Sequence, residues 1–372
     1  MNTQKIFNLG IVAMGMAVMV GCGGTTNEYT LKGQLSAETF DGKTVYVRNM
    51  EDGTIMDSAV VADGAFVMKG IIDTPTIVKL TVNGDNNLRY YTECILEGGK
   101  ITADIIDSRL EGTSMNEALS DMLHVCDTEK KAMEELYAKY RQAETEEVRK
   151  QVEIDYDSIN AIYIEKYSKN ASEVYAANKD NVLGAFAMYN CLSLAKEKGM
   201  NVAQMDSILN GASEIVLNYG PTQKIIKEVQ NLEKTSVGQR YIDVDLLMGE
   251  KQEATKLSQH IDGKVALIDF WASWCGPCRN EIPFLAEMHK KYESKGLVVV
   301  GLNVWDKPEA QQKLIAEKEM TWLQLADTTR IVTEVYGVSA IPQIMLIDKD
   351  GTIVARNLRG EAIEEAILKV IE

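Results

Sequence analysis

Cys275 and Cys278 stand in the stretch Trp-Cys-Gly-Pro-Cys-Arg at 274–279, and their spacing is the plainest chemistry in the chain. Two intervening residues on a helix put the second sulfur one turn from the first, close enough to close a disulfide. The apolar run VALIDFWA at 265–272 reads as a buried strand just before the pair, so Cys275 is expected to open a helix. Unpaired backbone N–H groups and the dipole at a helix N-terminus favour negative charge. The thiolate, which is the attacking species, is stabilised there. Pro277 suits the first turn, where no intrahelical hydrogen bond is lost. A structural disulfide and half a zinc site are the alternatives. Zinc in a structural site takes four ligands, and His124, His260 and His289 are scattered with no second Cys-x-x-Cys beside them. No metal and no cofactor are expected.

The elements that must position this pair alternate strand and helix. VALIDFWA is followed by a helix from about 277 to 295, closed by Gly296. LVVVGLNVW, a helix near 308–319, IPQIMLID, IVARNL and a final helix complete the run. Apolar runs without alternation indicate strands buried on both faces of a sheet, so 236–372 is expected to be an α/β domain, with Asp350-Gly351 turning its last two strands into a hairpin. Ahead of it, residues 113–234 carry helical periodicity. Leu119, Met122, Leu123, Cys126, Met133, Leu136, Tyr137 and Tyr140 fall on one stripe, read as core. Further helices are expected at 146–168, 171–179, 182–197, 202–217 and 221–233, with a linker at 233–240. Residues 28–112 read as all-β. Asp41-Gly42, Asp52-Gly53 and Asp63-Gly64 recur every eleven residues and Asn83-Gly84 follows, with short β-branched runs between, the pattern of an antiparallel meander or sandwich.

A chain of 372 residues is too long for one ordinary domain. The net charge of −16 speaks against a nucleic-acid surface, which needs a basic stripe. At the start, Lys5, the apolar run 6–20 and Gly21-Cys22 form a leader too short and interrupted to span a membrane. Its end, MVGC, resembles a bacterial lipobox, which implies that residues 1–22 are a lipoprotein signal peptide and that Cys22 is the lipidated residue. Such an anchor holds a protein to a membrane surface without a spanning helix. Gly23 and the segment GGTTNE favour an outer-membrane anchor facing the periplasm.

Taken together, VALIDFWASWCGPCRNEIP, the approach HIDGKVALIDF, Gly337-Val338 and LIDKDGTIV resemble thioredoxin-like proteins, and within them the membrane-tethered TlpA/ResA branch. The resemblance covers 236–372. It implies a thioredoxin-like fold and a thiol-disulfide oxidoreductase in which Cys275 is the nucleophile and Cys278 the resolving thiol. It implies further that Trp274 shields the sulfurs, that Pro342 is a cis-proline facing the disulfide, and that Ile341 offers backbone contacts to an extended substrate. Asp269 matches the family's buried acid, Glu281 the acid that tunes the pair, and Pro283 a helix kink. Asp269 also stands out in its own right, because an unpaired carboxyl inside an apolar strand is expensive. Glu281 can equally be read as a solvated first-turn carboxylate. Two departures are Tyr241-Ile242-Asp243 where the family has Pro-Asp-Phe, and Gln343 where Thr usually follows the proline. The order leader, β domain, helical region and redox module also resembles lipoproteins of Bacteroidetes.

Gly276-Pro277 is the thioredoxin pair, and nearby acids disfavour thiolate, so the expected direction is reduction of disulfide-containing client proteins, recharged by a membrane electron donor. Alternatives are a partner-binding lipoprotein with an auxiliary redox module, a cytochrome c maturation reductant as in the ResA branch, and a thiol peroxidase. The last needs a Thr where Ala272 stands. Cys94, Cys126 and Cys191 are an odd set that cannot all pair internally; they read best as buried small hydrophobes, with one bridged pair among them as the alternative.

Overall fold

The computed structural model describes residues 27–84, 88–249 and 251–371. The expected signal peptide and lipidation site at Cys22 lie outside the described residues. The chain divides into two compact units. One runs up to Val47 and resumes over Met56–Glu117; the other comprises Arg48–Ile55 and Ala118 onward.

The β region, which lies in the first unit apart from the β2–β3 turn at Arg48–Ile55, is built from β1 (Glu28–Gln34), the short helix α1 (Ala37–Phe40), β2 (Thr44–Asn49), β3 (Ile55–Val60), β4 (Ala65–Ile71), β5 (Thr76–Asn83), β6 (Arg89–Leu96), β7 (Gly99–Asp104) and β8 (Arg109–Glu111). They form two four-stranded sheets, ordered β4-β1-β7-β8 and β3-β2-β5-β6. A simple antiparallel meander is not what forms. β1 pairs in parallel with β7, and of the three Asp-Gly turns only Asp52-Gly53 joins two neighbouring strands of one sheet. Asp63 and Gly64 both take positive φ, 50° and 70°, the mark of a two-residue type I′ turn. That turn hands the chain from one sheet to the other.

The helical region holds α2 (Ser114–His124), α3 (Asp127–Gln142), α4 (Glu146–Ala177), α5 (Val182–Glu197), α6 (Val202–Leu209), α7 (Glu214–Leu217) and α8 (Gly220–Lys234). The helices expected at 146–168 and 171–179 are one helix of 32 residues, capped at Thr145. The helix expected at 202–217 is two, broken at Asn210–Ser213. The stripe read as core also fails past its midpoint. Leu119, Met122 and Cys126 are buried, but Tyr137 is 62% exposed and Tyr140 is exposed too. The chain breaks at Cys126 before α3 begins, so the helical phase does not carry across, and α3 buries none of its residues.

The remaining chain forms β9 (Asp245–Met248), β10 (Glu253–Lys256), α9 (Ser258–Ile261), β11 (Val265–Trp271), α10 (Gly276–Tyr292), β12 (Leu297–Val304), α11 (Pro308–Glu317), β13 (Leu323–Asp327), α12 (Ile331–Val335), β14 (Gln343–Ile347), β15 (Ile353–Ala355) and α13 (Glu361–Ile367). One seven-stranded sheet runs β10-β9-β13-β12-β11-β14-β15. β11, β12 and β13 are parallel, while β14 is antiparallel to β11 and β15 antiparallel to β14. Every residue of β11 is buried, which is why its sequence shows no alternation. Its two faces feed two cores: Val265, Leu267 and Trp271 face α10, and Ala266, Ile268 and Phe270 face the other layer. From α10, Ile282, Leu285, Met288 and Tyr292 join the first core, each worth on the order of 2 kcal/mol of burial.

The segment read as a linker is not loose. Gly238 N–H donates to Ile353 O at 2.8 Å, and Arg356 donates to Thr235 O at 2.5 Å and Tyr336 O at 2.7 Å. α8 lies directly on the turn after α12. At Gly337, φ is +61°, and a Cβ would stand 2.9 Å from the Leu232 backbone, so only glycine fits. Among the described residues no helix is long and apolar enough to cross a membrane.

Candidate active site

β11 ends at Trp271, and four residues later Cys275 caps the N-terminus of α10. Its Sγ accepts the Cys278 backbone N–H at 3.2 Å, a contact that stabilises negative charge on the sulfur. Cys275 and Cys278 are joined in a disulfide, with Cα atoms 5.3 Å apart. Both sulfurs are well covered, Cys278 more than Cys275. Pro277 sits in the first turn and Pro283 inside the helix.

The opposite wall is the Ile341–Pro342 peptide, which is cis. Ile341 O lies 3.8 Å from Cys275 Sγ. Trp274, 62% exposed, flanks the pair and donates its indole N–H to Trp305 O at 3.0 Å. Behind it a carboxylate gathers the loop. Asp306 accepts from Ser273 N–H at 2.5 Å, Ser273 Oγ at 3.0 Å and Asn303 Nδ2 at 3.1 Å.

Strand alternation puts residues 265, 267, 269 and 271 on the α10 side of β11, so Asp269 points beneath the cysteine pair. It is 1% exposed, and neither carboxylate oxygen has a hydrogen-bond partner. Desolvation by burial lifts its pKa to about 8; the Arg359 guanidinium draws it down and the Glu281 charge pushes it up. The acid therefore titrates near neutrality, where a group that both takes and returns a proton works best. Glu281, one turn past Cys278, is not simply solvated: its Oε2 accepts Gly360 N–H at 3.0 Å. Next to Gly360, Arg359 donates to the Pro342 carbonyl and to Leu358 O, the latter at 2.6 Å.

The structure thus brings Asp269, Trp274, Cys275, Cys278, Glu281, Ile341 and Pro342 to one place. Arg359 and Asp306 join them, and neither was singled out from sequence. Asp306 carried a faint signal, an Asp just past a strand and before Lys-Pro. Arg359 carried none, since nothing local marks a surface arginine near the C-terminus as facing a buried acid. His124, His260 and His289 stand on α2, α9 and α10, and among the described residues no group of three or more His, Cys, Asp or Glu could hold a metal ion. Cys94, Cys126 and Cys191 are free thiols.

Residues 235–370 match the family model described as Redoxin, and residues 29–119 match a domain of unknown function, DUF4369. The thiol-disulfide oxidoreductase ResA of Bacillus cereus is 28% identical over 163 residues, covering 43% of this chain and 87% of the relative. ResA of Bacillus anthracis is 30% identical over 138 residues, covering 36% of this chain and 76% of the relative. Among solved structures, the thioredoxin domain of a thiol-disulfide oxidoreductase from Bacteroides vulgatus is 28% identical. That match covers 37% of this chain and 99% of the other, with a TM-score of 0.35.

Proposed function

This chain belongs to the ResA-like thiol-disulfide oxidoreductases, and from that premise we propose that it is a lipid-anchored reductant of client disulfides outside the cytoplasm. Its C-terminal domain is α/β and thioredoxin-like, behind a β-sheet region and a helical region. In this reading residues 1–22 are the lipoprotein leader with Cys22 lipidated, 28–112 the all-β domain, 113–234 the helical region, and 236–372 the redox domain in the periplasm, anchored to the outer membrane.

In the reduced enzyme Cys275, held as thiolate by the α10 N-terminus, attacks a client disulfide. That S–S bond breaks, a mixed disulfide forms, and the first client thiolate leaves and takes a proton. Asp269 takes the Cys278 proton, and the Cys278 thiolate attacks Cys275 Sγ. The second client thiolate departs with the proton that Asp269 returns. Two electrons pass to the client, and the Cys275–Cys278 disulfide remains, to be reduced again by a membrane dithiol donor. Trp274 covers the sulfurs, while Ile341 and Pro342 align the client backbone.

The observation that supports the direction is Glu281, one turn past Cys278, whose charge lies close enough to raise the pKa of the buried Asp269. Negative charge next to the pair disfavours thiolate, and a dithiol less stabilised in its reduced form gives up electrons more readily. Reference potentials span about −270 mV for thioredoxin and about −120 mV for a strong periplasmic oxidant. A redox titration is expected to fall near the first, and a value near the second would reverse the direction. Cys278→Ser is expected to trap clients as mixed disulfides through Cys275. Partners that co-purify regardless of Cys275 would favour the binding-lipoprotein reading, and Cys275-dependent turnover of hydrogen peroxide the peroxidase reading. Labelled palmitate incorporated by the chain and lost in Cys22→Ser tests the anchor.

A further inference from the structure

The second unit contains a cavity of about 680 Å³ that the redox chemistry leaves unused. Tyr189 and Lys196 of α5 and Lys224 of α8 line one side; Trp305, Arg330 and Ser339 line the other. This is within the range of clefts that hold organic ligands, roughly 300–1,000 Å³. Two of its walls belong to the surroundings of the disulfide. Trp305 O accepts the indole N–H of Trp274, the residue next to Cys275, and Ser339 lies two residues before Ile341, whose carbonyl faces Cys275 Sγ.

The helical wall is fastened there. Lys227 pairs with Glu334 at 2.7 Å, Asn231 Nδ2 donates to Glu334 O at 2.9 Å, and Gly337 admits the Leu232 backbone. Two large residues on the facing side are held in the left-handed region, Trp305 at φ +56° and Arg330 at φ +66°. Such conformations are costly for bulky side chains and gather at functional surfaces.

The charges are unevenly spent. Lys196 is paired with Glu228 at 2.5 Å, and Glu334 with Lys227. Lys224 and Arg330 make no ion pair among the described residues, against the single remaining acid Glu51. In a chain of net charge −16, two unspent cations lining one cleft are a local reversal of sign.

We propose that this cleft receives the client polypeptide next to the disulfide being reduced, and that Lys224 and Arg330 select clients with Asp or Glu there. The inference rests on the reductase reading of Cys275 and Cys278. An extended client chain crossing Ile341–Pro342 runs on past Ser339 into the cleft, so α5 and α8 give the redox domain a recognition wall of its own.

The test mixes the pre-reduced full chain in a stopped-flow instrument with two synthetic cystine peptides. They differ only in flanking residues, Asp and Glu in one, Lys in the other. Tryptophan fluorescence follows oxidation of the dithiol as the peptide disulfide becomes two thiols. At low salt the acidic peptide is expected to react about tenfold faster, because complementary charge raises association rates, and the preference should shrink at about 0.5 M salt. Lys224→Glu and Arg330→Asn, the latter chosen because Asn tolerates positive φ, should each lower the preference about threefold, and together abolish it. Equal rates for the two peptides in the unaltered chain, or a preference that survives both substitutions, would overturn the cleft while leaving the reductase intact. Failure to reduce either peptide would overturn the reductase reading and the cleft with it.

Discussion

Each unit of this molecule buries one polar side chain near a cysteine, and the two are treated in opposite ways. In the first unit, Asn116 is fully buried. Its Oδ1 accepts Ile95 N–H at 2.9 Å, and its Nδ2 donates to Ile95 O at 2.8 Å and Thr113 Oγ1 at 2.9 Å. Cys94 Sγ lies 3.4 Å from the same Oδ1, and burial, together with the charge of Glu97, pushes that thiol far above the ordinary range. In the second unit, Asp269 is as deeply buried and has no hydrogen-bond partner at all. A polar group whose capacity is filled holds a structure together. One left unfilled retains the capacity to exchange a proton, and there the nearby cysteines sit at a helix N-terminus, where thiolate is favoured. The contrast separates an inert buried cysteine from a reactive one by what surrounds it.

The largest expected effect is on the cysteines themselves. Cys275→Ser should lower disulfide reduction by at least about a thousandfold, since the thiolate is the attacking species, while Cys94→Ser should leave the rate unchanged. If Cys94→Ser slowed turnover, the contrast would fail at its first point.

Asp269→Asn should slow turnover by roughly a hundredfold, the usual scale of acid–base assistance, and it should also stabilise the fold. Asp269 titrates near its ordinary value when unfolded but at about 8 when folded. The native state therefore binds the proton more tightly. The stability that the protonated carboxyl retains is fully present below about pH 4 and is lost as pH rises toward 8. By pH 8 the Asn variant should gain on the order of 5 kcal/mol, and at pH 4 almost nothing. Asn116→Ala should cost about 3 kcal/mol at either pH by orphaning the Ile95 backbone. Urea unfolding at both pH values reads the two signs side by side; a loss of stability in Asp269→Asn at pH 8 would place Asp269 with Asn116 as a structural group.

Arg359→Gln comes next. Removing the cation that draws the Asp269 pKa down should move the acidic limb of the pH–rate profile upward, leaving less ionised Asp269 to take the Cys278 proton, and slow turnover about threefold at pH 7. An unshifted profile would reduce Arg359 to its hydrogen bond with Pro342. Trp274→Ala should have the smallest effect, about twofold on rate, because an exposed indole contributes cover rather than chemistry.

Much of the redox domain was legible in advance. The buried strand, the helix opened by Cys275 and the Asp350-Gly351 hairpin all follow from residues adjacent in sequence. The helical region was less so. The aromatic stripe through Tyr137 and Tyr140 lost its phase at a break that periodicity alone does not reveal, and α4 ran through the gap expected near residue 170. In the β region the Asp-Gly turns were located, but which strands they join depends on a parallel β1–β7 pairing between segments far apart in the chain. The linker at 233–240 read as loose because small and polar residues carry no mark of the arginine that will hold them.

By itself, then, the sequence determined the dithiol and its placement at a helix N-terminus, because strand, turn and helix signals there act over a few residues. Only the tertiary structure decided what faces that dithiol. Asp269 turns toward the pair by the alternation of β11, Arg359 arrives from past the last strand, and Asp306 from the end of β12. Sheet register and helix packing set these meetings, and both are sums over contacts between distant residues rather than properties of any one stretch.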